Sequence, residues 1–333
     1  MSDHPFSALT PDFVINAVES IGLWCDARIY PLNSYENRVY QVGIEDSTPL
    51  VAKFYRRERW SKAQILEEHQ ALFSLIDAGV KVIAPKKIEG ESLFFYQDFY
   101  FCVYDKLVGK APDADNMDHL FVTGETLAQI HKTLQQTTFN TRHSMAPITD
   151  FALAVSKLKS CAHLPKFLHS RFDDISTQLA SLIEAKVSQF WPKALYPIHA
   201  DCHRSNLLVD ANDDIYILDF DDAKLGPAVQ DLWLHLSGTL EQQKQQLNEL
   251  IEGYESHFEF DQDEVQLIDS LKAIRLVQYA AWLNARWDDP AFPTAFPWFS
   301  DEDYWINLLN DLELIVQDWD KLAAPSYDYS FPF

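Results

Sequence analysis

The chain has 333 residues, of which 47% are hydrophobic and 14% aromatic, and its formal net charge is −23. That length and apolar share describe a globular protein with room for two domains and exclude a disordered one. A surface this acidic repels nucleic acid and anionic lipid, and Lys53, Arg56, Arg57 and Arg59 make too small a basic patch to reverse that.

The four cysteines, Cys25, Cys102, Cys161 and Cys202, are widely spaced and form no CxxC pair, so neither a disulfide framework nor a zinc spacing is expected. The N-terminal MSDHPFSALT lacks a basic region followed by an apolar run, and no apolar stretch is long enough to span a bilayer. We expect a cytoplasmic monomer with reduced thiols and with no nucleic-acid or membrane partner.

In chain order, Thr10-Pro11-Asp12 reads as a cap and N1 proline opening a helix over 10–22. Strand-like runs follow at Ala27–Leu32, Arg38–Ile44 and Leu50–Tyr55. Ser61 caps an amphipathic helix to about Asp77, ending at Gly79, with Leu66, Leu72, Leu75 and Ile76 on its buried face. Two more strands are expected at Ser92–Tyr96 and Phe99–Tyr104. DKLVGKAP (105–112) reads as a connector. Helical patterns then cover 116–135, 150–160, 165–190, 228–257, 263–287 and 302–322, interrupted by a hairpin over 207–218. The last ten residues are expected to be irregular. The reading is an α+β bilobal arrangement: a small β-rich lobe (1–105), a hinge (106–112) and a larger helical lobe (113–333) with a ligand cleft between them.

The chemistry concentrates in HADCHRSNLLV (199–209) and IYILDFDD (215–222). Two β-type runs around the Asp/Asn-rich turn 210–214 form a hairpin, which returns Asp219 to the end where Asn206 starts. An amide oxygen and carboxylates gathered there suit a hard cation such as Mg²⁺. Asp201 and Asn206 match the D-x-x-x-x-N spacing of kinase catalytic loops. Phosphoryl transfer needs a metal on the phosphates, a cation beside them and a carboxylate to orient the attacking hydroxyl. Asp201 would be that carboxylate, and Asn206 and Asp219 the metal ligands. Asp221 or Asp222 could add a second-metal contact. A rival reading makes His199 and His203 ligands of a hydrolytic zinc.

Lys53 in VAKFY could point into the cleft toward phosphate or stand on an exposed strand edge. Glu67 and Glu68 on the next helix are candidate partners for it, and Glu68 is the choice because it lies nearer the buried face. Without a glycine-rich motif, the loop Asn33-Ser34-Tyr35-Glu36-Asn37 is the candidate phosphate cover, Ser34 offering a hydroxyl and an N–H, unless it is an ordinary polar hairpin. Asp231 could be a simple helix-terminal charge or could accept backbone N–H bonds from the catalytic loop. RWDDPAFPTAFPWF (286–299) reads as a C-terminal core plug in preference to a peptide-docking surface.

HADCHRSN followed by LDFDD resembles the H-G-D-x-H-x-x-N … D motif of the aminoglycoside phosphotransferase and choline kinase superfamily, which has the protein-kinase-like fold. PLNSYENRVYQV, VAKFYRRERW, QILEEHQ, GPAVQDLW and RWDDPAFPTAFPW more narrowly resemble bacterial stress-response serine/threonine protein kinases. The resemblance implies ATP- and Mg²⁺-dependent transfer to Ser/Thr of proteins, autophosphorylation included, in surviving stress. It implies Asp201 as proton acceptor, Asn206 and Asp219 as metal ligands and Ser34 as a nucleotide contact. The alternative is a small-molecule kinase acting on an aminoglycoside-, choline- or homoserine-like alcohol, for which the acidic charge is suited. Ala200 stands where the superfamily motif usually has Gly, so a positive φ there would strain the loop.

Overall fold

The computed structural model describes residues 6–32 and 34–323. Asn33 and the last ten residues lie outside the described residues.

Helix α1 (Pro11–Glu19) starts where Thr10 Oγ1 accepts the Phe13 N–H at 3.2 Å, and buries Phe13, Val14, Ala17 and Val18. Strands β1 (Cys25–Leu32), β2 (Arg38–Ile44) and β3 (Leu50–Phe54) follow, then α2 (Lys62–Asp77), β4 (Phe94–Tyr96) and β5 (Phe99–Asp105). The five strands form one antiparallel sheet in the order β1-β2-β3-β5-β4. One sheet core unites α1 with Val42, Ala52, Phe54, Phe99, Phe101 and Val103. β3 is central, between β2 and β5, so Lys53 is not on a sheet edge.

Ser61 and Gln64 make a reciprocal capping box at the start of α2. The buried face of this helix is Ile65, Glu68, His69, Ala71, Leu72 and Leu75, while Ile76 is 46% exposed. The expected face was thus rotated: Glu68 and His69 have polar partners that let them occupy buried positions, and Ile76 is left outside.

The remaining helices are α3 (Met117–Leu134), α4 (Pro147–Lys159) and α5 (His169–Phe190). Short strands β6 (Tyr196–Ile198), β7 (Leu207–Val209), β8 (Ile215–Ile217) and β9 (Lys224–Gly226) surround the motif. They are followed by α6 (Val229–Leu232), α7 (Leu240–Glu255), α8 (Ile268–Ala285), α9 (Ala291–Ala295) and α10 (Glu302–Gln317). The helix expected over 228–257 is broken, because Gly238 adopts φ +81° and Thr239 caps a new start with Gln242. The pair β6–β9 escapes the sequence pattern because each strand is only three residues long.

The sheet ends at Asp105, but the first 105 residues do not form a self-contained unit. Ala71, Leu72 and Leu75 of α2, with Val80 and Val82, share one hydrophobic core with α3, α7 and the 207–217 hairpin. Ile217 N–H donates to Lys81 O at 3.0 Å, and within the connector Lys110 pairs with Val209. The small lobe is therefore built onto the hairpin that carries the motif. A second core joins α4, α5, α8 and α10 around Phe292, Phe299 and Trp305, so the expected core plug of 286–299 is made by Phe292 and Phe299, with Trp287 and Phe296 packed against it, while Trp298 is 37% exposed.

Candidate active site

The hairpin closes as anticipated, with Leu207 opposite Ile217 and Val209 opposite Ile215. Beyond the ladder, Leu218 N–H donates to Asn206 O at 2.8 Å, so the chain segments carrying Asn206 and Asp219 leave the hairpin side by side. Asp219 takes a left-handed conformation, φ 57°, which ends the extended run and starts the single 3-10 turn Phe220–Asp222.

The 199–206 loop is fixed from behind. His199 Nδ1 accepts the Asp201 N–H at 3.2 Å, and its Nε2 donates to Leu218 O at 2.7 Å. Both ring nitrogens are thus engaged in joining the 199–206 loop to the Asp219 segment, which removes His199 from the zinc reading. Asp231, fully buried, accepts the N–H groups of His199 and Ala200 at 2.8 and 2.7 Å and bonds His131 Nε2 at 2.9 Å. Burial would raise its pKa, but His131 and these bonds hold it below the usual carboxylate value. Of the two readings of Asp231, loop holder is the one observed. Ala200 sits at φ 69°, the positive φ that a glycine would tolerate more easily.

Asn206 Nδ2 donates to Asp201 O at 3.0 Å, which turns the amide so that Oδ1 has no hydrogen-bond partner among the described residues. Asp219 Oδ1 meets Lys53 Nζ at 2.8 Å, and Oδ2 likewise has no hydrogen-bond partner among them. These two oxygens fit the donor set of a hard divalent cation. Two protein ligands are enough, since Mg²⁺ usually completes its shell with water and substrate phosphates.

Lys53 does point toward the motif, but its partner differs from expectation. Its Nζ lies 2.8 Å from Asp219 and 3.2 Å from Asp221, whereas Glu68 pairs with Arg142 at 2.8 Å. Burial pulls the Lys53 pKa down, yet the two aspartates outweigh it and hold the ammonium well above its ordinary value. Arg142 competes for Glu68 with better geometry: its guanidinium also donates to Gln64 O, Asp221 O and Ala223 O. Burial dominates at Glu68 and pushes its carboxyl up to about 7 despite Lys53 and Arg142. Glu67 instead accepts the backbone N–H groups of Asn140, Thr141 and Arg142.

Asp221 is not disposed as a second-metal ligand. It is buried against Lys53, accepts a bond from Asn37 Nδ2 at 3.2 Å and pairs with Arg59, which also reaches Asp222 at 2.7 Å. Burial would raise its pKa, but Lys53, Arg59 and Arg142 hold it well below the usual range. Asp221 therefore ties the small lobe to the motif: it pairs with cations from β3 and from the segment after β3, and accepts an amide N–H from the loop after β1.

That loop is Ser34–Asn37. Ser34 Oγ donates to Asn37 O at 3.2 Å, and Asn37 Oδ1 accepts the Arg56 N–H at 3.1 Å. Glu36 crosses the cleft to the C-terminal end of α8, accepting from Arg286 Nη2 at 2.7 Å and from Trp282 Nε1 at 2.8 Å. Asp289 reciprocates, receiving Arg56 at 3.0 Å and Arg38 at 3.2 Å. Tyr35 packs on Phe296 with ring centroids 4.7 Å apart. The 286–299 segment thus adds to its core role a latch on the phosphate-cover candidate. Short-range patterns mark Glu36 and Asp289 only as charges in polar loops.

On the other side of Asp201, Arg275 of α8 donates from Nη1 to Oδ1 at 2.6 Å, and His203 Nε2 lies 3.6 Å from Oδ2. Burial lowers the pKa of His203 against the opposing pull of Asp201.

The model of a family described as phosphotransferase enzymes matches residues 28–268. The chain belongs to that phosphotransferase family. It is 41% identical over 302 residues to stress response kinase A of Escherichia coli (strain K12), covering 90% of each chain. It is 39% identical over 308 residues to the serine/threonine protein kinase RdoA of Salmonella typhimurium (strain LT2), covering 92% of each. Among solved structures, a microcompartment-associated aminopropanol kinase superposes with a TM-score of 0.70 at 18% identity, over 94% of this chain and 99% of that one. The α+β bilobal fold implied by the motif is thereby shown.

Proposed function

We propose that the chain is an ATP- and Mg²⁺-dependent kinase that phosphorylates serine and threonine hydroxyls of proteins, itself among them, in a cytoplasmic stress response. The observation that carries this reading is the convergence of Lys53 on Asp219 beside the Asp201–Asn206 loop. The names of the two relatives support the acceptor class and the stress role.

Asn206 and Asp219 are the residues to hold Mg²⁺, which when bound neutralises charge on the phosphate oxygens. Lys53 supplies the cation for the non-transferred phosphates, and Ser34 covers them from the loop after β1. Asp201 orients the acceptor hydroxyl. The acceptor oxygen bonds to the γ-phosphorus while the bond from that phosphorus to the bridging oxygen of ADP breaks, and the hydroxyl proton passes to Asp201. His199 and Asp231 keep that carboxylate in register with the Asp219 segment.

Incubation with γ-labelled ATP and Mg²⁺ alone tests the reading. Label should appear on the wild-type chain and vanish in Asn206→Ala. An Asp201→Asn variant should lose about 100-fold or more in rate while still binding nucleotide. Full turnover in Asp201→Asn would remove that residue from the mechanism.

The second reading is a kinase of small hydroxyl compounds. The net charge of −23 favours cationic acceptors, and one structural neighbour is a microcompartment-associated aminopropanol kinase. Label found only on an added aminoalcohol, and on no protein, would establish it instead.

A further inference from the structure

The base Asp201 does not face the acceptor alone. Arg275 Nη1 holds its Oδ1 at 2.6 Å, and this is the one hydrogen bond of Arg275 among the described residues. The two side chains keep 39% and 28% of their surface exposed, so the ion pair is open to solvent and is not a buried structural bridge. From Arg275 one face of α8 continues through Tyr279, Trp282 and Arg286, at the i, i+4, i+7 and i+11 spacing of a single helix side. Tyr279 stacks on Trp282 with centroids 5.7 Å apart, and Trp282 and Arg286 end on Glu36 of the small-lobe loop. The stripe therefore runs from the base to the phosphate-cover loop. It carries two guanidiniums and two aromatic rings. The acidic residue of α8 itself, Asp269, sits in its first turn and bonds Asp320 N at the far end.

An acceptor hydroxyl that gives its proton to Asp201 must come within hydrogen-bond distance of that carboxylate. Groups two or three bonds from the hydroxyl then lie roughly 5 Å from a guanidinium fixed on the same carboxylate. Before transfer the Asp201 carboxylate offsets that guanidinium; as the hydroxyl proton passes to Asp201 its charge is lost, and an ammonium then meets the guanidinium alone, which disfavours its transfer by about tenfold at the dielectric of a protein surface. Opposite charges are favoured by a similar factor, and the neutral amides flanking a peptidyl serine are tolerated.

We infer that Arg275 is a specificity-determining residue that selects acceptor hydroxyls by charge, admitting those with neutral or anionic neighbours and rejecting those beside an ammonium. The inference rests on Asp201 acting as proton acceptor in the proposed kinase, and it names the charge class of the acceptor.

The test uses the full chain and six acceptors. Three are serine peptides with Asp, Ala or Lys next to the serine. Three are small hydroxyl compounds: a hydroxy acid, a neutral polyol and an aminoalcohol. The readout is the ratio of kcat/KM for the anionic over the cationic member of each class, in wild type, Arg275→Gln and Arg275→Lys. A ratio is unmoved by a merely structural loss of rate. Wild type should give a ratio of about ten or more, Arg275→Gln a ratio near one, and Arg275→Lys should restore most of the discrimination. A ratio in Arg275→Gln within twofold of wild type overturns the inference. So does a wild-type preference for the cationic member, which would make the Tyr279–Trp282 pair the dominant feature of that wall. Phosphorylation confined to the small compounds defeats the protein-kinase reading while their charge order still decides the role of Arg275. Transfer to none of the six defeats both.

Discussion

Lys53 Nζ lies 2.8 Å from Asp219 Oδ1, although 166 residues separate the two in the chain. The contact joins the centre of the small sheet to the segment leaving the hairpin, and Asp221 at 3.2 Å makes the lysine answer to two carboxylates. Replacing Lys53 by Met removes the cation shared by both. We expect kcat/KM for ATP to fall by about 100-fold, with loss in both nucleotide affinity and turnover. Steady-state kinetics together with nucleotide titration separate the two. The fold should persist, because Arg59 and Asn37 still hold Asp221.

Ala200 at φ 69° gives a prediction of opposite sign to most substitutions. Ala200→Gly relieves a left-handed alanine and should stabilise the chain by about 0.5–1 kcal/mol, the gain being reduced by the entropy of glycine in the unfolded state. Denaturant unfolding of the pair checks it. A destabilisation would mean that the methyl, 7% exposed at this residue, contributes more by packing than its conformation costs.

Asp231 takes two backbone N–H groups and a histidine at zero exposure. Its replacement by Ala leaves those donors buried and unpaired, at about 3–5 kcal/mol. Thermal unfolding should show a fall of many degrees. Asp231→Asn, which keeps one acceptor oxygen, should fall less.

The cross-cleft latch predicts a nucleotide effect from residues outside the motif. Glu36→Ala frees Arg286 and Trp282 and loosens the loop that carries Ser34. KM for ATP should rise about five- to tenfold, and limited proteolysis between residues 34 and 38 should quicken, while kcat changes by less than KM. An unchanged KM would detach the loop from nucleotide binding.

His69 supplies the pH dependence. It is 1% exposed, bonded to Tyr55 Oη and Ser92 Oγ, and burial holds its imidazole down to about 3. Its unfolded value is about 6.5. Between those values the unfolded chain binds the extra proton, so stability rises with pH through about 3 to 6.5 and this contribution is complete above it. Wild type minus His69→Gln should therefore show a slope of about 1.4 kcal/mol per pH unit inside that window and none above about 7. Unfolding at a series of pH values measures it.

The sequence by itself determined the parts whose geometry is local. Thr10, Ser61 and Gly79 set helix ends through bonds within a few residues. The hairpin placed Asn206 beside the Asp219 segment, because a ladder fixes the relation of its own two ends. HADCHRSN followed by LDFDD carried the resemblance to the family. Tertiary structure alone decided the partners. Lys53 could be assigned to Glu68 from helix periodicity, but Arg142, 74 residues beyond Glu68, occupies that carboxylate and the lysine turns to Asp219 and Asp221. Arg275 on Asp201 and Arg286 on Glu36 are set by the angle at which α8 passes the cleft, which depends on the core around Phe292, Phe299 and Trp305. Charge pairs across a cleft have no sequence period. Their choice follows from which long side chain reaches a carboxylate once the apolar cores have fixed the helices, and a string of residues read locally does not contain that distance.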